Sequence, residues 1–174
     1  MNRNKKILLV HHTLGLGGGE KLVYELAKSF IREGCYVEIL ILGDEKPEYY
    51  DKLLEELSVN IIRINYKGNK TILSWKFLKQ CIKIKLLRRY DSYVIVNIHN
   101  AFRMIKILGS NAKINVWHVG NAIQYKDRKL GYPSFFFKMP TVRLWLINKY
   151  QKIELEQEYG EIKNEIVYFK LFIN

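Results

Sequence analysis

The stretch Ile7-Leu-Leu-Val-His-His-Thr-Leu-Gly-Leu-Gly-Gly-Gly-Glu-Lys21 runs directly into Leu22-Val-Tyr-Glu-Leu-Ala-Lys-Ser-Phe-Ile31, and it leaves the local fold little freedom. Ile7–Val10 reads as a short buried strand. The glycines form a tight turn, and Leu22, Val23, Leu26, Ala27, Phe30 and Ile31 recur on one face of a helix. A strand that feeds a helix through so short a turn is the first half of a βαβ unit. The turn sets free backbone N–H groups and the positive end of the helix dipole at the C-terminal edge of a parallel sheet. Open α/β folds bind phosphorylated ligands at that edge. Gly15, Gly17, Gly18 and Gly19 carry no side chain to hold a ligand away.

The alternation continues along the chain. Strands are predicted at Tyr36–Leu42, Val59–Ile64, Ser92–Ile98, Ile114–Trp117, Leu144–Ile147 and Ile166–Phe169. Between them, Gly34 stops the first helix. A second helix is expected from near Pro47, capped by Asp44, with Tyr50, Leu53, Leu54 and Leu57 on its buried side. A long helix is expected over 71–89, short ones over 101–108 and 153–159, and a loop or irregular helix over 123–140. The fold class predicted is α/β: a doubly wound, mostly parallel, Rossmann-like sheet with helices on both faces. At 174 residues and 48% apolar, the chain suits one domain, burying roughly 70% of the surface its unfolded form exposes.

Cys35 and Cys81 form no disulfide framework and no metal-ligand spacing and read as small, inert buried hydrophobes; no metal and no cofactor is expected. The apolar run before His11 is too short for a signal-peptide core, and no stretch approaches the ~20 residues of a membrane span. A cytoplasmic location is expected. The net charge of +12 is unevenly distributed: residues 1–65 carry −1, residues 66–150 carry +15 and residues 151–174 carry −2. The middle segment holds 17 basic and 2 acidic side chains. Such an excess is either a solvated lysine-rich surface or a surface for an anionic partner.

Neither of the two common phosphate-binding motifs is present. In G-x-G-x-x-G counted from Gly15, Glu20 stands where the third glycine belongs. In G-x-x-x-x-G-K-[ST], Gly19 is followed by Glu20 and Lys21 by Leu22. Side chains alternate along a strand, so only one of His11 and His12 can face the cleft.

The strand, the Leu-Gly-Leu-Gly-Gly-Gly-Glu-Lys turn and the helix that follows resemble the start of GT-B glycosyltransferases of the large retaining, family 4 type. Tyr90–Asn100 resembles that family's "Asp-x-Val-x-x-x-His" strand, and Lys113–Gly120 resembles its next strand, which ends in a histidine at the cleft. Leu146–Gly160 with Ile166–Phe169 resembles the exit from its N-terminal domain. The resemblance implies that residues 1–174 form a single acceptor-side domain, inactive without an absent C-terminal donor-binding domain. It implies that Gly17, Gly18, Gly19 and Glu20 approach the donor diphosphate or the acceptor. His118 would face the sugar or acceptor hydroxyl as the catalytic residue, and His99 would lie beside it. Substrates would be a nucleotide-diphosphate sugar and a lipid-linked or polysaccharide acceptor; partners would be the missing domain or a separate subunit that completes the cleft. A packed core histidine remains the alternative for both His99 and His118.

On the helix over 71–89, Lys76, Lys79 and Lys83 form a stripe. Leu73, Phe77, Cys81, Ile84 and Leu87 lie to one side of it, and Trp75, Leu78, Ile82 and Leu86 to the other. A surface helix needs one apolar flank; two imply either that loops cover the second or that the second meets a membrane surface or the missing domain. Trp75, Lys76, Lys79 and Lys83 are therefore candidates for contact with an anionic membrane, at its inner face, with the aromatics of Tyr132–Lys138 expected to be exposed alongside. Two other classes stay open: a nucleotide-dependent oxidoreductase domain, and a basic non-catalytic module for membrane or nucleic acid. No recognised nucleic-acid motif supports the last, and no nucleic-acid partner is expected.

Overall fold

The computed structural model describes residues 5–43, 46–64, 75–87, 90–96, 113–120 and 132–169. Seven strands form one parallel sheet: β1 (Lys6–His11), β2 (Tyr36–Ile41), β3 (Asn60–Arg63), β4 (Ser92–Val96), β5 (Ile114–His118), β6 (Val142–Leu146) and β7 (Glu165–Tyr168). Their order is β3-β2-β1-β4-β5-β6-β7, and every neighbouring pair is parallel. β1 is thus the turning point: the chain winds outward from it to β2 and β3 on one side, then from β4 to β7 on the other.

The expected class therefore holds, and its cause is visible in the burial. Both faces of the sheet are covered, so the central strands are buried almost without a break rather than in alternation. Leu8, Val10, Ile95, Ile114 and Val116 point into one core layer, while Ile7, Leu9, Val94, Val96 and Trp117 point into the other. Helix α1 (Gly18–Arg32) covers the second layer with Val23, Leu26 and Ala27. It ends as expected at Gly34, whose φ of +74° places it in the left-handed region. There the Gly34 N–H donates to Ile31 O and the Cys35 N–H to Phe30 O, closing the last turn. Helix α3 (Trp75–Leu87) covers the first layer with Cys81 and Ile84. Burial pushes the Cys81 thiol up to about 12, which fits the inert, packed role expected of it.

Several local expectations are corrected. Helix α2 (Tyr49–Glu56) is capped by Glu48 through a reciprocal capping box with Asp51, not by Asp44, which lies outside the described residues. Helix α4 (Lys149–Tyr159) begins four residues before the expected Ile153. Asn148 Oδ1 accepts from the N–H groups of Tyr150 and Gln151 and so nucleates a first turn with no apolar stripe to announce it. β6 begins at Val142, opposite Ile114, two residues before the expected start. The aromatics of Tyr132–Lys138 are not a surface patch. Residues Ser134–Lys138 form a 3-10 turn in which Phe136 and Phe137 are buried, with Tyr132 buried before it. Phe137 stacks on Tyr159 at 4.5 Å between centroids, and Asn164 Nδ2 ties down the carbonyls of Phe136, Met139 and Val142. Burying each phenyl ring contributes about 1.5–3 kcal/mol, which explains why the segment turns inward. The helix expected over 101–108 lies outside the described residues, as do residues 71–74 and 88–89 of the long helix.

Candidate functional site at the sheet's switch point

Between β1 and β4 the direction of winding reverses, and the C-terminal ends of these strands flank the crevice where such sheets bind ligands. His11 ends β1 and bridges this point. Its Nδ1 lies 2.9 Å from Val96 O, the last residue of β4. A carbonyl can only accept, so Nδ1 donates and carries the ring proton. The residue is 6% exposed, and burial outweighs the Val96 bond and nearby Glu20 to hold its pKa below the ordinary value. The ring is therefore neutral near pH 7, and Nε2 is an acceptor.

That acceptor faces the start of α1. Gly17 is the N-cap in extended conformation with no side-chain cap, and Gly18 and Gly19 form the first turn. Their N–H groups have no acceptor within the helix. Glu20 bends back over this turn: Oε1 accepts from Thr13 Oγ1 at 2.6 Å and lies 3.8 Å from His11 Nε2, while Oε2 lies over Gly17. A carboxylate there complements the helix dipole. The loop is also fastened from below. Leu14, fully buried, donates its N–H to Glu48 Oε2 at 2.6 Å and accepts from Tyr50 N–H. Arg63 then binds Glu48 and grips both oxygens of Asp51, at 2.6 and 2.5 Å. Burial acts against the Arg63 charge, but these two carboxylates more than offset it and hold its pKa above the usual value.

The four glycines consequently do different things. A Cβ on Gly19 would stand 3.3 Å from the His11 ring and one on Gly17 would strike the Glu20 carboxylate, whereas Gly18 has nothing within 4 Å. Only at Gly18, and at Gly15 with a single neighbour at 3.7 Å, is the space open. Of the adjacent histidines, His11 faces the crevice and His12 is exposed.

His118 is placed differently from expectation. It ends β5, 1% exposed, with Nδ1 2.8 Å from the Tyr132 hydroxyl and its ring edge-on to that tyrosine. It shares a face with Ile114 and Val116, whereas His11 shares the opposite face with Ile7 and Leu9. The two histidine side chains are therefore separated by the sheet, and His118 is packed rather than open to a cleft. His99 lies outside the described residues, as does the side chain of Lys76. Beside His118 the same sheet edge carries a cavity of about 460 Å³ lined by Val119, Gly120, Asn148, Tyr150, Gln151 and Glu154. Gln151 shapes it, with Nε2 donating to the carbonyls of His118 and Gly120 and Oε1 accepting from Ile147 N–H. Among the described residues no His, Cys, Asp and Glu cluster could hold a metal ion.

The fold is Rossmann-like. Solved structures share it along nearly the whole chain. The Anabaena protein Alr3699/HepE, solved with UDP and glucose, superposes with a TM-score of 0.66 at 13% identity, over 95% of this chain and 44% of that one. A glycosyltransferase from Rickettsia africae gives 0.66 at 19% identity, over 98% of this chain and 44% of that one. A proposed short-chain alcohol dehydrogenase from Burkholderia multivorans gives 0.59 at 12% identity, over 95% and 96%. The chain thus spans under half the length of the Anabaena and Rickettsia structures. No protein-family model matches the sequence, and no curated protein matches it.

Thr13, Glu48, Asn148 and Gln151 belong to the site without standing out in the sequence. Thr13 and Glu48 carry no motif of their own; each matters only through the loop it fastens. A buried glutamine three residues after a helix-capping asparagine leaves a faint trace, because the apolar periodicity of α4 is weak.

Proposed function

We propose that this chain is the N-terminal, acceptor-side half of a two-domain GT-B glycosyltransferase, which transfers a sugar from a nucleotide-diphosphate donor to a hydroxyl acceptor. The observation that carries this reading is the built crevice at the β1/β4 switch point: a helix start at Gly17 and Gly18 without a side-chain cap and a neutral, buried His11 whose Nε2 accepts. An anion suits the first and a hydroxyl suits the second. The Anabaena structure holding UDP and glucose, with the same fold in under half of its length, supports the assignment of these groups to a sugar-nucleotide reaction.

In this reading a second domain outside the 174 residues holds most of the donor. Gly15 to Gly19 approach its diphosphate, and Glu20 keeps the helix start occupied until that anion arrives. His11 orients the acceptor hydroxyl. The cavity beside Gln151, lined by amides, a carboxylate and a tyrosine, takes the rest of a polyhydroxylated acceptor. His118 acts through the edge of that cavity, since Gln151 holds its carbonyl. Catalysis then consists of positioning and of stabilising the departing diphosphate, without a metal, and with retention of configuration. A lipid-linked or polysaccharide acceptor is part of the proposal.

The test is titration of the 174-residue chain with UDP and UDP-glucose, followed by NMR and calorimetry. Shifts confined to residues 14–20, with affinity no tighter than about millimolar, are expected. Micromolar binding would place the donor site in this half instead. The dehydrogenase likeness, which covers both chains almost completely, favours a second reading as a dinucleotide-binding domain. Glu20 in place of the third glycine argues against it. Saturable NADH binding with no response to UDP would establish that alternative.

A further inference from the structure

The outer face of α3 combines features that an ordinary solvated helix does not need. Cys81 and Ile84 point into the core, and the residues opposite them include three large apolar side chains in the open: Trp75 is 74% exposed, Leu86 66% and Ile82 40%. These positions, with Lys79 between them, are spaced three and four apart and fall in one line along the helix. Lys79, Lys83 and Lys85 are exposed within or beside that line. From residue 66 to residue 90 the sequence has eight basic residues and no acidic one.

We propose that this face docks on an anionic lipid bilayer, with α3 lying along the surface. Trp75, Ile82 and Leu86 would enter the headgroup boundary while the lysines reach out to lipid phosphates. Nucleic acid would satisfy the lysines but would gain nothing from two exposed aliphatic side chains. The donor domain proposed above would sit across the C-terminal edge of the sheet, whereas α3 lies over a face. A helix linking parallel strands runs back against them, so Trp75 is at the end of α3 nearest that edge. Docking would therefore set the Trp75 end of α3, at the C-terminal edge of the sheet, on the bilayer, with the sheet between the membrane and His11. The proposal does not depend on glycosyl transfer.

The experiment is co-sedimentation of the chain with vesicles of mixed phosphatidylglycerol and phosphatidylcholine, and with phosphatidylcholine alone, at low and high salt. Binding is expected only to the anionic vesicles and should weaken with salt. Removing both charges by Lys79→Gln with Lys83→Gln should lower the partition constant about thirtyfold, a factor of about five for each lysine. Both sites are exposed, so folding is unaffected, which far-UV circular dichroism checks. Tryptophan emission should shift to the blue on binding and should not do so in Trp75→Phe, because Trp117 is fully buried and Trp145 partly so. No binding to anionic vesicles, equal binding to neutral ones, or an unchanged constant in the lysine variant would each overturn the proposal. So would duplex DNA binding through the same lysines without any vesicle binding.

Discussion

A methyl group added at Gly43 would stand 2.5 Å from the His12 carbonyl oxygen, a backbone atom that cannot swing aside, whereas one added at Gly18 meets nothing. Gly43→Ala is therefore expected to cost about 1–3 kcal/mol in urea denaturation. Gly18→Ala is expected to be neutral or to stabilise by about 0.5 kcal/mol through helix propensity. If Gly18 is kept open for a ligand, that gain will come with loss of the UDP response. His11 supplies a second expectation at this scale. Its folded pKa lies below 6.5, so the unfolded chain binds the proton more readily, and stability rises with pH through this group. The stabilisation is complete above the unfolded value near 6.5 and is lost as pH falls below it. His11→Asn, which preserves a donor toward Val96 O, should flatten the fall in melting temperature between about pH 7.5 and pH 5.5. An equal slope in both proteins would refute the neutral, buried assignment.

At the scale of elements, one side chain joins two strand ends to a helix. Gln151 on α4 bonds the last carbonyl of β5, that of Gly120 just beyond it, and the N–H that follows β6. Gln151→Ala leaves those buried groups without partners and is expected to cost about 2–4 kcal/mol. Tyr150→Ala, on the exposed side of the same turn, should stay within about 0.5 kcal/mol. Denaturant midpoints of the two variants decide this. The strands and α1 were legible in the sequence because each is a run of apolar residues bounded by glycine or charge. The cap at Glu48 was not, because aspartate is a favoured cap residue and glutamate is not; Glu48 caps only through its reciprocal bond with Asp51. Phe136 and Phe137 read as exposed because three consecutive aromatics have no periodicity; only the neighbouring Tyr159 and Asn164 turn them inward. The choice of His11 over His12 was hidden for a related reason. In a strand buried on both faces, apolar alternation no longer marks which side a residue takes.

For the whole molecule, the parallel sheet class followed from the alternation of elements, but the strand order did not, since pairing partners lie far apart in the chain. Ile7 pairs with Ser92 on one side and Val37 on the other. The sheet order also explains why the site is only half visible in sequence: Val96 meets His11 because β4, not β2, fills the far side of β1. The same arrangement has a consequence for how the chain comes into being. β1 lies inside the sheet and precedes both of its neighbours in the chain, so its second edge waits for some eighty-five residues of further synthesis. Deleting residues 1–11 would not trim a border; it would leave a two-stranded fragment and a four-stranded one with no seam between them. Such a truncation is expected to lose cooperative thermal unfolding altogether, while removal of β7 at the opposite border should lower the transition and keep it. β1 is thus the keystone of the sheet, and any change that loosens it acts on the seam between the two parts.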